Sequence, residues 1–291
     1  MSPLAFDRIV VAIAFTSADQ SVLGFARLLH VTGGEPARFT FVHVRSDDDR
    51  TDPGRRTERE ARMALEALAA ATLGPDASVD FVVVDGPIVD RVLEITGETR
   101  AGLIMLGHRT SARGRRSFSR RIAMKAPCSV LLVPEGTEPG IRRVIAGVDF
   151  STHSAQALGA AGRFAARFGV RQVTAIHVRT PTQIALDDVE REAVERDVTR
   201  FVEPIDLHGA RASARVVESG SAASALVGEA NQPGDLLVVG TRGRGTSASV
   251  LLGSESEHVL ERAQCATLVT KERGARLGLL RALLDRDVTV G

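Results

Sequence analysis

The sequence predicts an α/β protein built from two tandem copies of one domain, each a five-stranded parallel sheet with helices on both faces. Three observations carry that reading. Four blocks recur at a nearly constant offset of about 135 residues, far beyond any solenoid period, so each copy is a whole domain. Short apolar runs alternate with longer amphipathic ones, the pattern of strand–helix–strand units. The apolar runs are almost unbroken, as strands covered on both faces require.

Taken in order, the first copy places strands near 8–14, 39–44, 79–84, 102–107 and 129–133, with helices near 18–32, 57–72, 88–99 and 117–125. The helix over 57–72 keeps its charge at Glu58, Arg59, Glu60, Arg62 and Glu66, while Met63, Leu65, Leu68 and Leu73 supply the apolar face. A proline, glycine and charge cluster, 134–140, separates the copies and is too short to hold them apart. In the second copy strands fall near 142–148, 172–178, 213–218, 235–240 and 266–270, with helices near 152–168, 184–202, 221–231 and 254–263. The block over 8–15 answers 143–150, that over 41–45 answers 175–179, that over 82–86 answers 216–220, and that over 127–133 answers 264–270. The domains are therefore set at 1–136 and 141–272. Leucines at 277, 280, 283 and 284, among arginines, predict an amphipathic helix within 273–291 that docks on the body or on a partner.

Composition bounds the function. Of 291 residues 44% are apolar and 25% charged, and the formal net charge of +1 provides no general drive toward nucleic acid. No apolar run reaches the length of a membrane span and the start does not read as a signal segment, so a cytoplasmic location is expected. Cys128 and Cys265 hold equivalent places and are expected to be buried free thiols. Lys125 and Lys271 are the only lysines, which leaves little for Schiff-base or lysine-based phosphate chemistry.

The chemistry concentrates where the fourth strand of the second copy ends. Gly240, Gly243 and Gly253 are spaced along a loop that Ser254 follows into a helix. Glycines there permit close approach of backbone N–H groups to an anion, and the orphan N–H groups of the helix with the Ser254 hydroxyl suit phosphate oxygens. Ser256, on the same turn, is placed to assist, and Arg242 and Arg244 add charge unless they are simply solvated. A purely structural turn-and-cap role for the glycines is the competing reading. No lysine-bearing phosphate loop and no dinucleotide fingerprint is present, since Asp149-Phe150-Ser151 follows the first strand of this copy. Asp149 puts a carboxylate where the first and fourth strands should meet, able to accept from an adenine amino group or a ribose hydroxyl. Ser151 is the better cap for the helix that follows.

Gly240, Gly243, Gly253 and Ser254 follow the spacing G-x2-G-x9-G-[ST], and with the early Asp149 the chain resembles the universal stress proteins in tandem form. The resemblance covers residues 5–134 and 141–271. It implies a sheet of order 3-2-1-4-5, an adenine nucleotide such as ATP in the crevice, and dimer-like pairing of the domains. It also implies that Val178, after His177, meets the adenine through its backbone. The first copy departs at the points that matter: Asp149 is answered by Ala14, Gly243 by Thr110, and Gly253-Ser254 roughly by Arg116-Ser117. The first domain is therefore expected not to bind ATP.

Arg109, Arg113, Arg115, Arg116, Arg120 and Arg121 crowd the equivalent loop of the first copy. An anionic ligand, a partner or interdomain salt-bridge surface, and plain solvation all remain open. Without Trp or Tyr, base stacking has little support. His43 and His177 are expected to be structural. The favoured function is an ATP-binding stress-response or regulatory protein with one site in the second domain, with homodimerisation an option. The alternatives are a slow ATP hydrolase or adenylate-forming enzyme, in which Asp149 positions Mg²⁺ or water, and a ligand-free scaffold.

Overall fold

A computed structural model of the chain describes residues 6–32, 37–46, 56–108, 118–180, 186–241 and 253–271. The C-terminal helix expected in 273–291, and Arg109, Arg113, Arg115 and Arg116, lie outside the described residues. In order, the first half comprises β1 (Arg8–Ala12), α1 (Ala18–Val31), β2 (Arg38–Arg45), α2 (Glu58–Leu73), β3 (Val79–Asp85), α3 (Ile88–Glu98), β4 (Leu103–His108), α4 (Phe118–Lys125) and β5 (Ser129–Pro134). The second half comprises β6 (Arg143–Val148), α5 (Thr152–Arg167), β7 (Gln172–Arg179), α6 (Asp188–Val202), β8 (Arg211–Glu218), α7 (Ala222–Glu229), β9 (Asp235–Gly240), α8 (Ser254–Arg262) and β10 (Ala266–Thr270).

Each half has the strand order 3-2-1-4-5, all parallel. The two sheets are not separate layers. β5 and β10 pair antiparallel, with Leu131 opposite Leu268, and make one ten-stranded sheet in the order β3-β2-β1-β4-β5-β10-β9-β6-β7-β8. Burial follows from position in that sheet. β4, β5, β9 and β10 lie inside it and are almost wholly buried, whereas β3 and β8, at the two edges, carry intermediate and exposed residues. Polar edge pairs such as Arg38–Asp80 suit strands that face water. Alternating side chains feed two apolar layers. One holds Phe25, Phe41, Leu65, Leu158 and Phe164; the other holds Val92, Ile104, Ile122, Leu237 and Val259.

Local chemistry sets the helix boundaries. Thr57 and Asp187 open α2 and α6 with capping boxes closed by Glu60 and Glu190, and Ser151 caps α5 by accepting from the Ser154 N–H at 3.1 Å. The Asp187 box explains why α6 begins at Asp188 rather than near 184. On α2 the apolar face differs from expectation: Ala61, Leu65, Ala69 and Leu73 are buried, while Met63 is 58% exposed. Met63 lies two residues from both Ala61 and Leu65, off the i, i+4 line that faces the core. Both copies also turn sharply after their first strand, at Phe15 (φ 56°) and Phe150 (φ 62°). Each ring packs on the histidine of the next strand, His43 or His177, with centroids 4.5 and 4.7 Å apart.

The halves are also joined off the sheet. Pro139 of the linker lies against Gly24 of α1, where a Cβ would come within 2.9 Å of it. Arg167 donates to the Leu29 carbonyl. Lys271 Nζ donates to the Met124 and Ala126 carbonyls at 2.8 and 2.9 Å, placing a cation at the C-terminal end of α4. Among the described residues no helix is long and apolar enough to cross a membrane.

Candidate functional site

In the second half β6 and β9 are parallel neighbours, so Val148 and Gly240 end side by side where the chain order along the sheet reverses. A cleft of about 390 Å³ opens there, within the range that holds a small ligand. Asp149, Val178, Gly240, Gly253 and Ser254 all line it, drawn from four segments far apart in sequence. Val148, Ile176, Leu226, Val239 and Val259 give it apolar walls. Arg242 and Gly243, also candidates, lie outside the described residues.

Each candidate is held by a particular local feature. The Asp149 carboxylate accepts from the Ser151 N–H at 3.1 Å and the Ser151 hydroxyl at 2.6 Å, which fixes it at the rim while Ser151 caps α5. Gly240 answers to packing: a Cβ there would come within 3.0 Å of the His153 carbonyl oxygen and 3.1 Å of the carbonyl carbon. Gly107 has the same constraint against Ala18 in the first half, which is why both copies have this glycine whatever their ligand state. The N-cap of α8 is Gly253, with φ −69° and ψ 149° and no side-chain cap bond, and Ser254 is the first helical residue. Among the described residues no side chain caps the first N–H groups of α8, which begins beside the cleft. Ser256, expected to assist at a phosphate, donates its hydroxyl proton to the Gly240 carbonyl at 2.7 Å and ties α8 to β9 instead.

His177 Nδ1 lies 2.8 Å from the Val148 carbonyl, and His43 Nδ1 lies 2.9 Å from the Ile13 carbonyl. A carbonyl accepts only, so Nδ1 carries the proton in both rings and each histidine braces the strand end beside it. Among the described residues no group of three or more His, Cys, Asp or Glu side chains could hold a metal ion. Both cysteines are buried and outside any disulfide, and burial pushes the Cys265 thiol up to about 11.

The equivalent region of the first half is organised differently. Ser154 is replaced by Asp19, whose carboxylate folds back onto the Ala14 N–H at 3.2 Å and the Thr16 N–H at 2.7 Å. Asp19 is buried, and desolvation, only partly offset by those bonds, pushes its carboxyl up. His108, at the end of β4, is buried with its Nδ1 3.0 Å from the Ser119 hydroxyl, and desolvation pushes its pKa down. Of the arginine-rich segment, Arg120 pairs with Glu257 and with Glu261, the latter at 2.5 Å, bridging α4 to α8 across the two halves. Arg121 lies over the Phe118 ring at 6.0 Å.

Among the lining residues that the sequence did not single out is a carboxylate, Glu255, the second residue of α8. Its Oε2 accepts from the Ala223 N–H at 2.5 Å and the Ser221 hydroxyl at 3.3 Å, so it caps the start of α7. Its place directly after Ser254 was a signal. Its partner, the first turn of α7, is visible only in three dimensions.

The family is settled by a match that occurs twice. The model of the universal stress protein family matches residues 5–134 and again 140–271. This chain belongs to the universal stress protein family. It is 29% identical over 136 residues to a universal stress protein of Thermus aquaticus encoded 3′ of a QAH/OAS sulfhydrylase, covering 45% of this chain and 98% of that one. Among solved structures, a universal stress protein from Archaeoglobus fulgidus superposes with a TM-score of 0.68 at 18% identity, covering 93% of this chain and all (100%) of the other. A functionally unknown protein from Pseudomonas aeruginosa reaches 0.63 at 16% identity, covering 98% and 99%. Likeness at these identities is a likeness of fold. Both structures match this chain almost end to end, so the likeness of fold takes in both halves.

Proposed function

We propose that this universal stress protein binds an adenine nucleotide, ATP, in the cleft of its second half and acts as a stress-response or regulatory protein. The observation that carries the reading is the convergence of Asp149, Val178, Gly240, Gly253 and Ser254 on one cleft at the strand-order reversal. The apolar walls suit a flat heterocycle, Asp149 suits a ribose hydroxyl or an adenine amino group, and the uncapped start of α8 suits phosphate oxygens. Mg²⁺ would arrive with the nucleotide: Asp149 and Glu255 are hard oxygen donors at the cleft, but two carboxylates do not make a cage for the ion alone. In the first half the Asp19 carboxylate holds the turn after β1, and Ala14 provides no carboxylate, which supports a single site.

Titration calorimetry of the full chain with ATP tests this, with native mass spectrometry to count nucleotides per chain. The expected result is one site with an affinity in the micromolar range or better. Asp149→Ala should weaken it about ten-fold or more, the magnitude of losing a hydrogen bond to a charged group. Two nucleotides per chain, or unchanged affinity in Asp149→Ala, would remove the assignment.

A further inference from the structure

The two halves give equivalent positions around this cleft different bulk. Gly147 and Ala12 are each the fifth residue of their strand, Leu226 and Val92 each the fifth of their helix, and Ala222 and Ile88 each the first of that helix. Gly147, Ala222 and Leu226 all line the cleft. One exchange is balanced: a Cβ on Gly147 would come within 2.9 Å of Leu226 Cδ1, and in the first half the methyl group of Ala12 goes with the shorter Val92. The exchange at the helix start is not. Ala222 has a methyl group where Ile88 has a branched chain, and Ile88 packs against the apolar layer that holds Val92, Leu106 and Ile122. Leu106 and Ile122 add to the difference, since they answer two smaller wall residues, Val239 and Val259. The start of α7 is also held in place. Ser221 Oγ accepts from the Ser224 N–H at 3.2 Å, Glu255 Oε2 accepts from the Ala223 N–H at 2.5 Å, and the helix packs on β7 and α8. Atoms added at position 222 therefore enter the cleft or strain its walls.

We propose that Ala222 is the size gate of the cleft: its short side chain leaves the volume that a purine ring needs between the apolar walls, and an isoleucine there, as in the first half, closes it. This rests on the adenine-nucleotide reading above. The side chain of Ala222 has no polar group, so it acts through volume alone, and what it excludes is the ring that adenosine and ATP share rather than the phosphates. The first half thus differs from the second in the bulk of its wall as well as in the missing carboxylate at Ala14. Because Ile88 already occupies this place in a folded half, the substitution that closes the cleft is one the fold accepts.

The test is titration calorimetry of the full chain, of Ala222→Val and of Ala222→Ile, with ATP and with adenosine. ATP affinity should fall in the order alanine, valine, isoleucine, and by about ten-fold or more at isoleucine, the scale of forcing extra methylene groups into a packed site. Adenosine should lose affinity by the same factor as ATP in each variant. Thermal unfolding should begin no lower in Ala222→Ile than in the parent; if it does, Ala222→Val, the smaller addition, decides the matter through its ATP affinity. ATP affinity that does not fall along the series, or a loss of ATP that spares adenosine, overturns the proposal while leaving nucleotide binding in place. Absence of binding by ATP and adenosine alike in the parent removes the nucleotide reading together with this one.

Discussion

At the scale of single residues, solvent access decides which groups keep ordinary chemistry. Cys265 is 6% exposed, and desolvation raises its thiol from an ordinary value near 9.0 to about 11. A raised value means that the folded chain holds the proton more tightly than the unfolded chain does. The associated stability is therefore complete below pH ~9 and declines as pH rises toward ~11, by about 2 to 3 kcal/mol in total. Denaturant melts of the parent and of Cys265→Ala across pH 8 to 11 should diverge in slope, with the alanine variant flatter; parallel curves would show that this thiol is not the titrating group. At neutral pH a thiol reagent should label Cys265 only after unfolding.

At the scale of elements, α5 shows how a helix is shaped by its neighbours rather than by propensity. Gly162 faces the Leu207 backbone, and a Cβ there would lie 2.5 Å from the Leu207 Cα and 2.8 Å from its carbonyl carbon and oxygen. Gly159, in the same helix, has nothing within 4 Å of its would-be Cβ. Gly162→Ala should cost about 1 to 3 kcal/mol, since backbone must move to admit the methyl group. Gly159→Ala should stabilise by about 0.5 to 1 kcal/mol through helix propensity. Urea denaturation of the two variants gives both numbers, and equal effects would contradict the packing described. Gly240 belongs to the same class: it admits α5, and the cleft lies where that close approach leaves room.

At the scale of the whole molecule, two homologous halves meet around an approximate two-fold at the β5–β10 ladder, yet the contact is not symmetric in charge. Counted back from Cys128 and Cys265, Arg120 on α4 and Glu257 on α8 occupy equivalent positions, and they pair with each other. Two copies of either half meeting the same way would bring Arg to Arg or Glu to Glu, so the charge favours the mixed pair. With about a quarter of each side chain exposed, the coupling between Arg120→Ala and Glu257→Ala in a double-mutant cycle should be about 1 kcal/mol and should shrink in high salt. Glu257→Arg should destabilise more than Glu257→Ala. Zero coupling at low salt would leave the interface to the sheet ladder, the linker and the other bonds between the halves, such as those of Lys271 and Arg167.

Much of this was legible in the order of the residues. The duplication, the ten strands, most helix limits, and the places of Asp149, Gly253 and Ser254 at strand and helix ends follow from periodicity and spacing, which are local and survive in one dimension. The sequence could not show that β5 and β10 pair, because an apolar strand carries no mark of which chain end will lie beside it. Nor could it show that Gly240 makes room for His153, that Ser256 is committed to the Gly240 carbonyl, or that Glu255 reaches across to cap α7. Each depends on two elements distant in sequence arriving at contact distance, and only packing sets that distance. Sequence alone thus determined the family, the repeat and the neighbourhood of the cleft; tertiary structure decided which of its polar groups are already engaged, because hydrogen bonds and charge pairs form with whatever the fold brings near.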